Sequence, residues 1–193
     1  MGIRSFFAKP LAAWTHHQTQ AWSSKPAETQ QKVFDNLIAG AKNTSFGSDH
    51  DFGAIRSHSD FKNRVPIRDY EELKSYFERT ASGEENVLWP GKPLYLAKTS
   101  GTTSGAKYIP ITRDSIPNHI NGAKNALLSY IHETGNASFV DGKLIFLSGS
   151  PELDTKNGIH VGRLSGISNH FVPGYLRTNQ MPSYETNCID DWE

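Results

Sequence analysis

Hydrophobic side chains recur at helical spacing through the first half of the chain. Residues 3–22 mix apolar and polar positions and predict a helix, in which Pro10 marks either a bend or the true start. Pro26 stands where a second helix begins, and the apolar positions after it predict one buried face. That face comprises Val33, Phe34, Leu37, Ile38 and Ala41. Residues 43–51 are rich in turn-forming side chains and predict a loop.

A capping box introduces a third helix. Asp69 is followed three residues later by Glu72, the spacing at which two side chains satisfy each other's backbone N–H groups at a helix start. Val65-Pro66-Ile67 predicts an extended approach to this helix. The apolar face is expected to comprise Tyr70, Leu73, Tyr76 and Phe77.

The pattern changes at Trp89-Pro90-Gly91. Two short apolar runs, residues 94–97 and 108–111, predict strands on either side of a segment made of Ser, Thr and Gly. A buried strand over residues 143–147 and a turn-rich segment over residues 148–158 complete the second half. This order predicts an α/β fold.

A long helix is expected between the second and third of these strands. Thr112 or Asp114 can cap its start, and Gly135 closes it just after Glu133. The chain therefore divides into a mainly helical segment, residues 1–88, and an α/β segment, residues 89–193.

Charge and cysteine content exclude several classes of protein. Lys plus Arg and Asp plus Glu both number 20, so no net field draws the chain to nucleic acid or to an anionic membrane. No apolar run is long enough to span a bilayer. The single cysteine, Cys188, cannot form an internal disulfide, which predicts a cytoplasmic protein. The eight histidines show no ligand-like spacing with Cys188 or with paired acids, and no metal site is predicted.

The segment Thr99-Ser100-Gly101-Thr102-Thr103-Ser104-Gly105-Ala106-Lys107 has the composition of a phosphate loop. Gly101 and Gly105 let backbone N–H groups converge on an anion, and the hydroxyls and the Lys107 ammonium add donors. Hydrogen bonds to a charged partner contribute about 1.5–3 kcal/mol each, so a few of them can hold the triphosphate of ATP. A surface loop of ordinary composition is the competing interpretation.

Two other lysine-ended motifs fit this segment less well. A Walker A loop needs adjacent Gly and Lys, but Ala106 separates Gly105 from Lys107. Ser104 and Lys107 have the Ser-x-x-Lys spacing of penicillin-interacting acyl hydrolases. That motif begins a helix, whereas the residues after Lys107 favour an extended chain.

The same segment resembles the phosphate loop of the acyl-adenylate-forming superfamily. Ser104 and Ala106 depart from the usual Gly and Pro of that loop and are similar to one branch, the auxin-responsive acyl-acid amido synthetases in their bacterial-type form. Further segments resemble that family along the whole chain. They are Val65-Pro66-Ile67, Glu85 to Gly91, Lys107-Tyr108-Ile109-Pro110, Gly162 to Ile167 and Pro182-Ser183-Tyr184-Glu185.

The resemblance implies an enzyme that joins ATP to a carboxylic acid as an acyl-adenylate and then transfers the acyl group to an amine, typically that of an amino acid. Lys107 and Thr102 are the predicted catalytic residues, and Mg²⁺ is expected to accompany ATP. A non-catalytic nucleotide-binding module and an acyl-CoA ligase are the alternatives. The predicted ATP-binding residues are Thr99, Ser100, Gly101, Thr102, Thr103, Ser104, Gly105 and Lys107.

The resemblance also implies an acid-binding role for the helix after the loop. Its polar candidates are His119, Lys124 and Tyr130, with a solvated helix lysine as the competing interpretation of Lys124. Members of the superfamily have a longer large domain followed by a small C-terminal domain. The chain is therefore expected to be the N-terminal part of a large domain, to need the remainder of its own chain for activity, and to expose apolar surface where that remainder packs.

Overall fold

A computed structural model describes residues 2–99 and 106–189 of the chain. Helices and short strands alternate in its second half, as the sequence pattern predicts. The helices are α1 (Ile3–Ser23), α2 (Pro26–Ala41), α3 (Ser45–Asp49), α4 (His58–Arg64), α5 (Lys74–Ala81), α6 (Ile116–Thr134), α7 (Leu164–Asn169), α8 (Gly174–Arg177) and α9 (Tyr184–Asn187). The strands are β1 (Tyr95–Lys98), β2 (Tyr108–Ile111), β3 (Leu144–Ile145), β4 (Asp154–Lys156), β5 (Ile159–Gly162) and β6 (Gln180–Met181).

The chain forms two compact units, each assembled from separate stretches of sequence. Unit 1 comprises Met1–Lys25, Asp114–Leu153 and Gly162–Glu193. Unit 2 comprises Pro26–Arg113 and Asp154–Val161. The predicted loop strands therefore belong to unit 2, and the long helix α6 belongs to unit 1.

In unit 1, a distant carboxylate caps the start of α1. The N-cap residue Gly2 has no side chain to offer, and Asp141 supplies the missing acceptor. Its carboxylate accepts the backbone N–H of Gly2 at 2.9 Å and that of Ser5 at 3.4 Å, together with the Ser5 hydroxyl. These three donors, with the Ser5 hydroxyl contributing most, lower the pKa of Asp141 below its ordinary value.

The buried face of α1 is narrow. Ala12 packs with Leu128 and Ile131 of α6, whereas Phe6 and Trp14 are among the side chains that stay exposed. The helix runs unbroken from Ile3 through Pro10, so Pro10 is not its start. Because Pro10 lies on the exposed side, its ring does not disturb the packing of Ala12.

The helix α6 begins and ends on recognisable signals. Gly135 adopts the left-handed conformation with φ 68° and closes the helix, as predicted. The predicted caps Thr112 and Asp114 were wrong, because the helix starts at Ile116 and Ser115 occupies the N-cap position. Pro117 in the first turn fixes that start, since proline suits a position whose N–H has no helical partner.

In unit 2, α2 packs its apolar row against α3 and the turn that follows. Ile38 and Ala41 are buried with Phe52 and Ile55, and Phe34 packs against them. Val33 and Leu37, which we placed on the same face, are each 52% exposed. They lie about 100° around the helix from Phe34 and Ile38, so a single row of contacts cannot cover both pairs.

The segment 43–51 is not wholly a loop. It contains α3, whose N-cap Thr44 accepts the N–H of Gly47 at 3.0 Å. The same Ser and Thr residues that indicate turns also cap helices. The reciprocal hydrogen bonds of the capping box are confirmed, because Asp69 and Glu72 accept each other's backbone N–H, both at 2.9 Å, but α5 begins later than predicted, at Lys74.

A four-stranded sheet with the order β2-β1-β5-β4 carries the second core of unit 2. Leu96, Ile159 and Val161 are buried within it beside Ala81. The edge strand β4 and its neighbour β5 form an antiparallel hairpin, and β4 lies within the segment 148–158 that we predicted to be turn-rich. Asn157 and Gly158 form its two-residue turn, both with positive φ, which is the preferred sequence for such a turn.

The strand predicted over residues 143–147 is short and not fully buried. It is the two-residue β3, which pairs in parallel with β6 in unit 1. Ile145 and Leu147 are 72% and 78% exposed, while Leu144 and Phe146 are half-buried. Alternate side chains of a strand point to opposite faces, and only one face is covered among the described residues.

Candidate functional site

The strands β1 and β2 form the base of the predicted phosphate loop. They pair antiparallel with Lys98 opposite Tyr108, and beyond that pair the N–H of Thr99 donates to the carbonyl of Lys107 at 3.0 Å. Thr99 and Lys107 are therefore brought together as the two sides of the loop base. The other predicted ATP-binding residues, Ser100, Gly101, Thr102, Thr103, Ser104 and Gly105, lie outside the described residues.

Lys107 is held by a tyrosine from the capping-box segment. Its ammonium lies over the ring of Tyr70, 4.7 Å from the centroid. The hydroxyl oxygen of Tyr70 accepts the backbone N–H of Tyr108 at 3.3 Å, and its ring stacks on Phe77 of α5 at a centroid distance of 4.8 Å. The confirmed capping box thus positions a side chain that contacts the C-terminal side of the loop.

The contact between Lys107 and the Tyr70 ring is weak enough for the ammonium to leave the ring when a phosphate oxygen is within reach. A cation over an aromatic ring gains about 0.5–1 kcal/mol at exposed sites. A hydrogen bond to a charged partner contributes about 1.5–3 kcal/mol, so a phosphate oxygen within reach outcompetes the ring. Tyr70 therefore orients Lys107 without preventing it from binding an anion.

A second lysine, which sequence reasoning missed, lies beside the same strand. The ammonium of Lys156 in β4 is 4.3 Å from the ring centroid of Tyr108, the residue after Lys107. The Asn157-Gly158 turn signal could have predicted the hairpin that contains Lys156, but not that this hairpin joins the sheet that carries the loop. Lys156 adds positive charge near the loop base.

The predicted acid-side residues lie on α6 in unit 1 and do not converge. His119 is exposed, Tyr130 is 48% exposed and contacts Phe139 edge to face, and the Lys124 ammonium donates to the side chain of Asn121 at 2.7 Å. Lys124 lies about 120–140° around the helix from the other two. The structure thus places each of them on one helix but does not gather them into one cluster.

The strands β1 and β2 thus flank a hydroxyl- and glycine-rich segment that ends on Lys107, and a mainly helical first half precedes them. The model of the GH3 family N-terminal domain matches residues 15–191, and the chain belongs to this family. This confirms the family that the sequence resemblance indicated.

Curated plant relatives cover different shares of the chain. The indole-3-acetic acid-amido synthetase GH3.15 of Arabidopsis thaliana is 37% identical over 142 residues, which are 67% of this chain and 23% of that protein. The synthetase GH3.4 of the same plant is 22% identical over 97% of this chain and 32% of that protein. The jasmonoyl-L-amino acid synthetase JAR6 of Nicotiana attenuata is 30% identical over 53% of this chain and 18% of that protein. These comparisons support the family rather than a bacterial-type branch of it.

Solved structures share the fold. The AtGH3.15 acyl acid amido synthetase in complex with 2,4-DB has a TM-score of 0.65 at 23% identity, covering 83% of this chain and 28% of that one. A second GH3.15 structure gives 0.62, with 70% and 25% covered. At this identity the likeness establishes the fold, confirming the predicted α/β architecture. The chain spans about a quarter to a third of the length of the first curated relatives.

Among the helices of residues 2–99 and 106–189, none combines the length and the apolar character needed to cross a bilayer.

Proposed function

We propose that this chain supplies the triphosphate-binding part of an ATP-dependent acyl acid amido synthetase. The observation that carries the proposal is the paired base of the loop, where the backbone N–H of Thr99 donates to the carbonyl of Lys107 at 3.0 Å. At the same base, the Lys107 ammonium lies 4.7 Å from the ring centroid of Tyr70. Membership of the GH3 family gives this loop base its context. The remainder of the longer protein would complete the site.

The proposed reaction has two steps. A carboxylate oxygen attacks the α-phosphorus of ATP, and pyrophosphate leaves with the electron pair of the broken P–O bond. The amine of an amino acid then attacks the acyl carbon and AMP leaves, so that an amide forms and one proton is released. Adenylation is needed because AMP is a far better leaving group than the oxide of a free carboxylate.

In the first step the loop would act on the departing pyrophosphate. Lys107 would neutralise negative charge on the β- and γ-phosphates, and the backbone N–H groups and hydroxyls of residues 99–105 would donate to their oxygens. Thr102 is predicted, together with Lys107, to be a catalytic residue. Mg²⁺ bound to the triphosphate would supply further charge neutralisation. Lys156 would raise the positive potential near the same strand.

The names of the relatives suggest the classes of substrate. Indole-3-acetic acid and jasmonate occur in them, and 2,4-DB is bound in a related structure. We therefore propose a small carboxylic acid as the acyl donor and an amino acid as the acceptor. His119, Lys124 and Tyr130 on α6 remain the residues predicted to bind the carboxylic acid. Because Cys188 is the single cysteine of this sequence, we propose a reducing, cytoplasmic location for the protein.

The test is product formation by the full-length protein. It is incubated with ATP, Mg²⁺, a panel of aromatic and aliphatic acids and a mixture of amino acids, and mass spectrometry follows amide and AMP together. The proposal expects an amide and AMP in equal amounts. Acyl-CoA formed on addition of CoA, in place of an amide, would indicate a ligase of the acyl-CoA type. Binding of ATP with no AMP from any acid would indicate a non-catalytic module.

A further inference from the structure

Two histidines and a glutamate meet where α1 packs on α6 within unit 1. His16 comes from α1, and His132 and Glu133 come from the last turn of α6. One ligand atom of each lies within 4.8 Å of the other two. The Nδ1 of His16 is 3.9 Å from a carboxylate oxygen of Glu133. Among the described residues, this is the only group of three or more His, Cys, Asp or Glu side chains that is this close.

The helix core next to the cluster fixes its backbone positions. Ala12 and Ile131 belong to one buried cluster, exposed by 1% and 2% respectively. His16 lies one turn after Ala12 on the same face of α1, and His132 follows Ile131 directly. The two histidines are therefore held opposite each other by packing that does not depend on their own contact.

We propose that His16, His132 and Glu133 form a binding site for a divalent transition metal ion of the zinc class. Two imidazole nitrogens and one carboxylate oxygen are a ligand set known for zinc sites with a water in the fourth position. Imidazole also suits copper and nickel, whereas Mg²⁺ and Ca²⁺ prefer sites built entirely from oxygen. The proposal is independent of ATP chemistry, and it differs from the prediction from spacing alone, which placed no metal site in the chain.

The two imidazole rings must change their orientation before both can bind one metal ion. The two imidazoles are stacked, with centroids 3.8 Å apart and planes 17° from parallel. A ring nitrogen binds a metal in the plane of its ring at about 2.0–2.1 Å, so stacked rings cannot share one ion. The rings must tilt apart. The side chain of His16 is 29% exposed and His132 is exposed, so both rings have room to do so.

A buried polar atom adjoins the cluster in sequence. The hydroxyl oxygen of Thr15, the residue before His16, is buried and has no hydrogen-bond partner among the described residues. Buried polar atoms are normally satisfied by protein or by water. The residue next to His16 therefore carries a buried hydroxyl whose hydrogen-bonding capacity is unused among the described residues.

The experiment uses the untagged 193-residue chain, because a histidine tag would itself bind metal. Isothermal titration with ZnCl₂ measures affinity, and the visible spectrum of bound Co²⁺ reports the ligand geometry. His16→Asn, His132→Asn and Glu133→Gln are each expected to weaken zinc binding about tenfold or more. His17→Asn removes the neighbouring exposed histidine, and Cys188→Ser removes the only thiol. Both controls are expected to bind zinc like the unaltered chain.

Thermal unfolding provides a second readout. Because the ion would link α1 to α6, zinc is expected to raise the midpoint of the unaltered chain and of both controls, but not that of the His16→Asn, His132→Asn double variant. Circular dichroism without metal checks that each variant is folded. Equal zinc affinity in the unaltered chain and the double variant would overturn the proposal. So would a loss in His17→Asn or Cys188→Ser as large as that in His16→Asn.

Discussion

The ammonium of Lys107 lies 4.7 Å from the ring centroid of Tyr70, although the two residues are far apart in sequence. The capping box at Asp69 and Glu72 fixes the backbone around Tyr70, and the strand pairing at Thr99 fixes that around Lys107. The contact therefore joins the helical segment to the proposed phosphate loop. Two predictions concern these residues.

Replacing Lys107 by alanine removes the cation at the end of the loop. In the full-length protein, Lys107→Ala is expected to lower kcat/KM for ATP on the order of 100-fold or more, because charge on the departing phosphates is no longer neutralised. Steady-state AMP formation at varied ATP measures the effect. Lys62→Ala removes an exposed lysine of the same unit and should leave the kinetics unchanged. Equal rates for both variants would exclude Lys107 from the site.

Two substitutions at Tyr70 separate its ring from its hydroxyl. Tyr70→Phe keeps the ring under Lys107 and the stacking on Phe77 but removes the acceptor for the Tyr108 N–H. Tyr70→Leu removes both. We expect Tyr70→Leu to raise KM for ATP several-fold and Tyr70→Phe to change it less than twofold, because the ring orients the ammonium. If the two variants raise KM equally, the hydroxyl rather than the ring is the feature that matters.

The hairpin turn of β4 and β5 offers a test of local strain. Gly158 has φ 75°, a conformation that costs an L-residue with a Cβ about 1–2 kcal/mol. Gly158→Ala is expected to lower the free energy of unfolding by about that amount in urea titrations. Gly53 has no positive φ and open space around its Cβ direction, so Gly53→Ala should change stability by less than about 0.5 kcal/mol. A neutral Gly158→Ala variant would show that the turn differs from the one described.

Asp141 gives a prediction for acid pH. Its pKa in the folded protein is lowered from 3.8, chiefly by the Ser5 hydroxyl and then by the N–H groups of Gly2 and Ser5. A lowered folded-state pKa means that the stabilisation is fully present above the unfolded value and is lost as the pH falls through the folded value. Asp141→Asn should therefore be less stable than the unaltered chain at pH 7, with the difference shrinking below about pH 4.

Denaturant titrations at several pH values measure this difference. Asp35→Asn serves as a control, since Asp35 is an exposed carboxylate that accepts a hydrogen bond from Gln31 on its own helix. Its effect on stability should be small at every pH. A stability gap for Asp141→Asn that does not change between pH 7 and acid would contradict the cap.

Local chemistry explains which parts of the fold could be predicted. The capping box at Asp69, the glycine that closes α6 and the two strands beside the loop depend on neighbouring residues, and the structure contains them all. The β4 strand was missed although Asn157-Gly158 is a strong turn signal. The three residues of β4 are all polar and exposed, so the sequence lacks the alternation of apolar and polar residues that predicts a strand.

Tertiary contacts account for the rest. The exposure of Val33 and Leu37 depends on which row of α2 meets α3, and no single helix can report that. The contacts of Lys107 with Tyr70 and of Lys156 with Tyr108 join distant segments, so spacing in the sequence could not reveal them. The stacking of His16 on His132 likewise joins segments that are distant in the sequence. Residue types indicated the phosphate loop, but only the packing shows which side chains surround its base.

Carboxylate-dependent exchange of labelled pyrophosphate into ATP is the most direct test of the central claim. The exchange requires reversible formation of an acyl-adenylate and does not require the amine acceptor, so it isolates the step assigned to Thr99–Lys107. The full-length protein is predicted to catalyse exchange with at least one acid from an aromatic and aliphatic panel, and the Lys107→Ala variant to lose it. Absence of exchange with every acid, in a folded protein that binds ATP, would contradict the account.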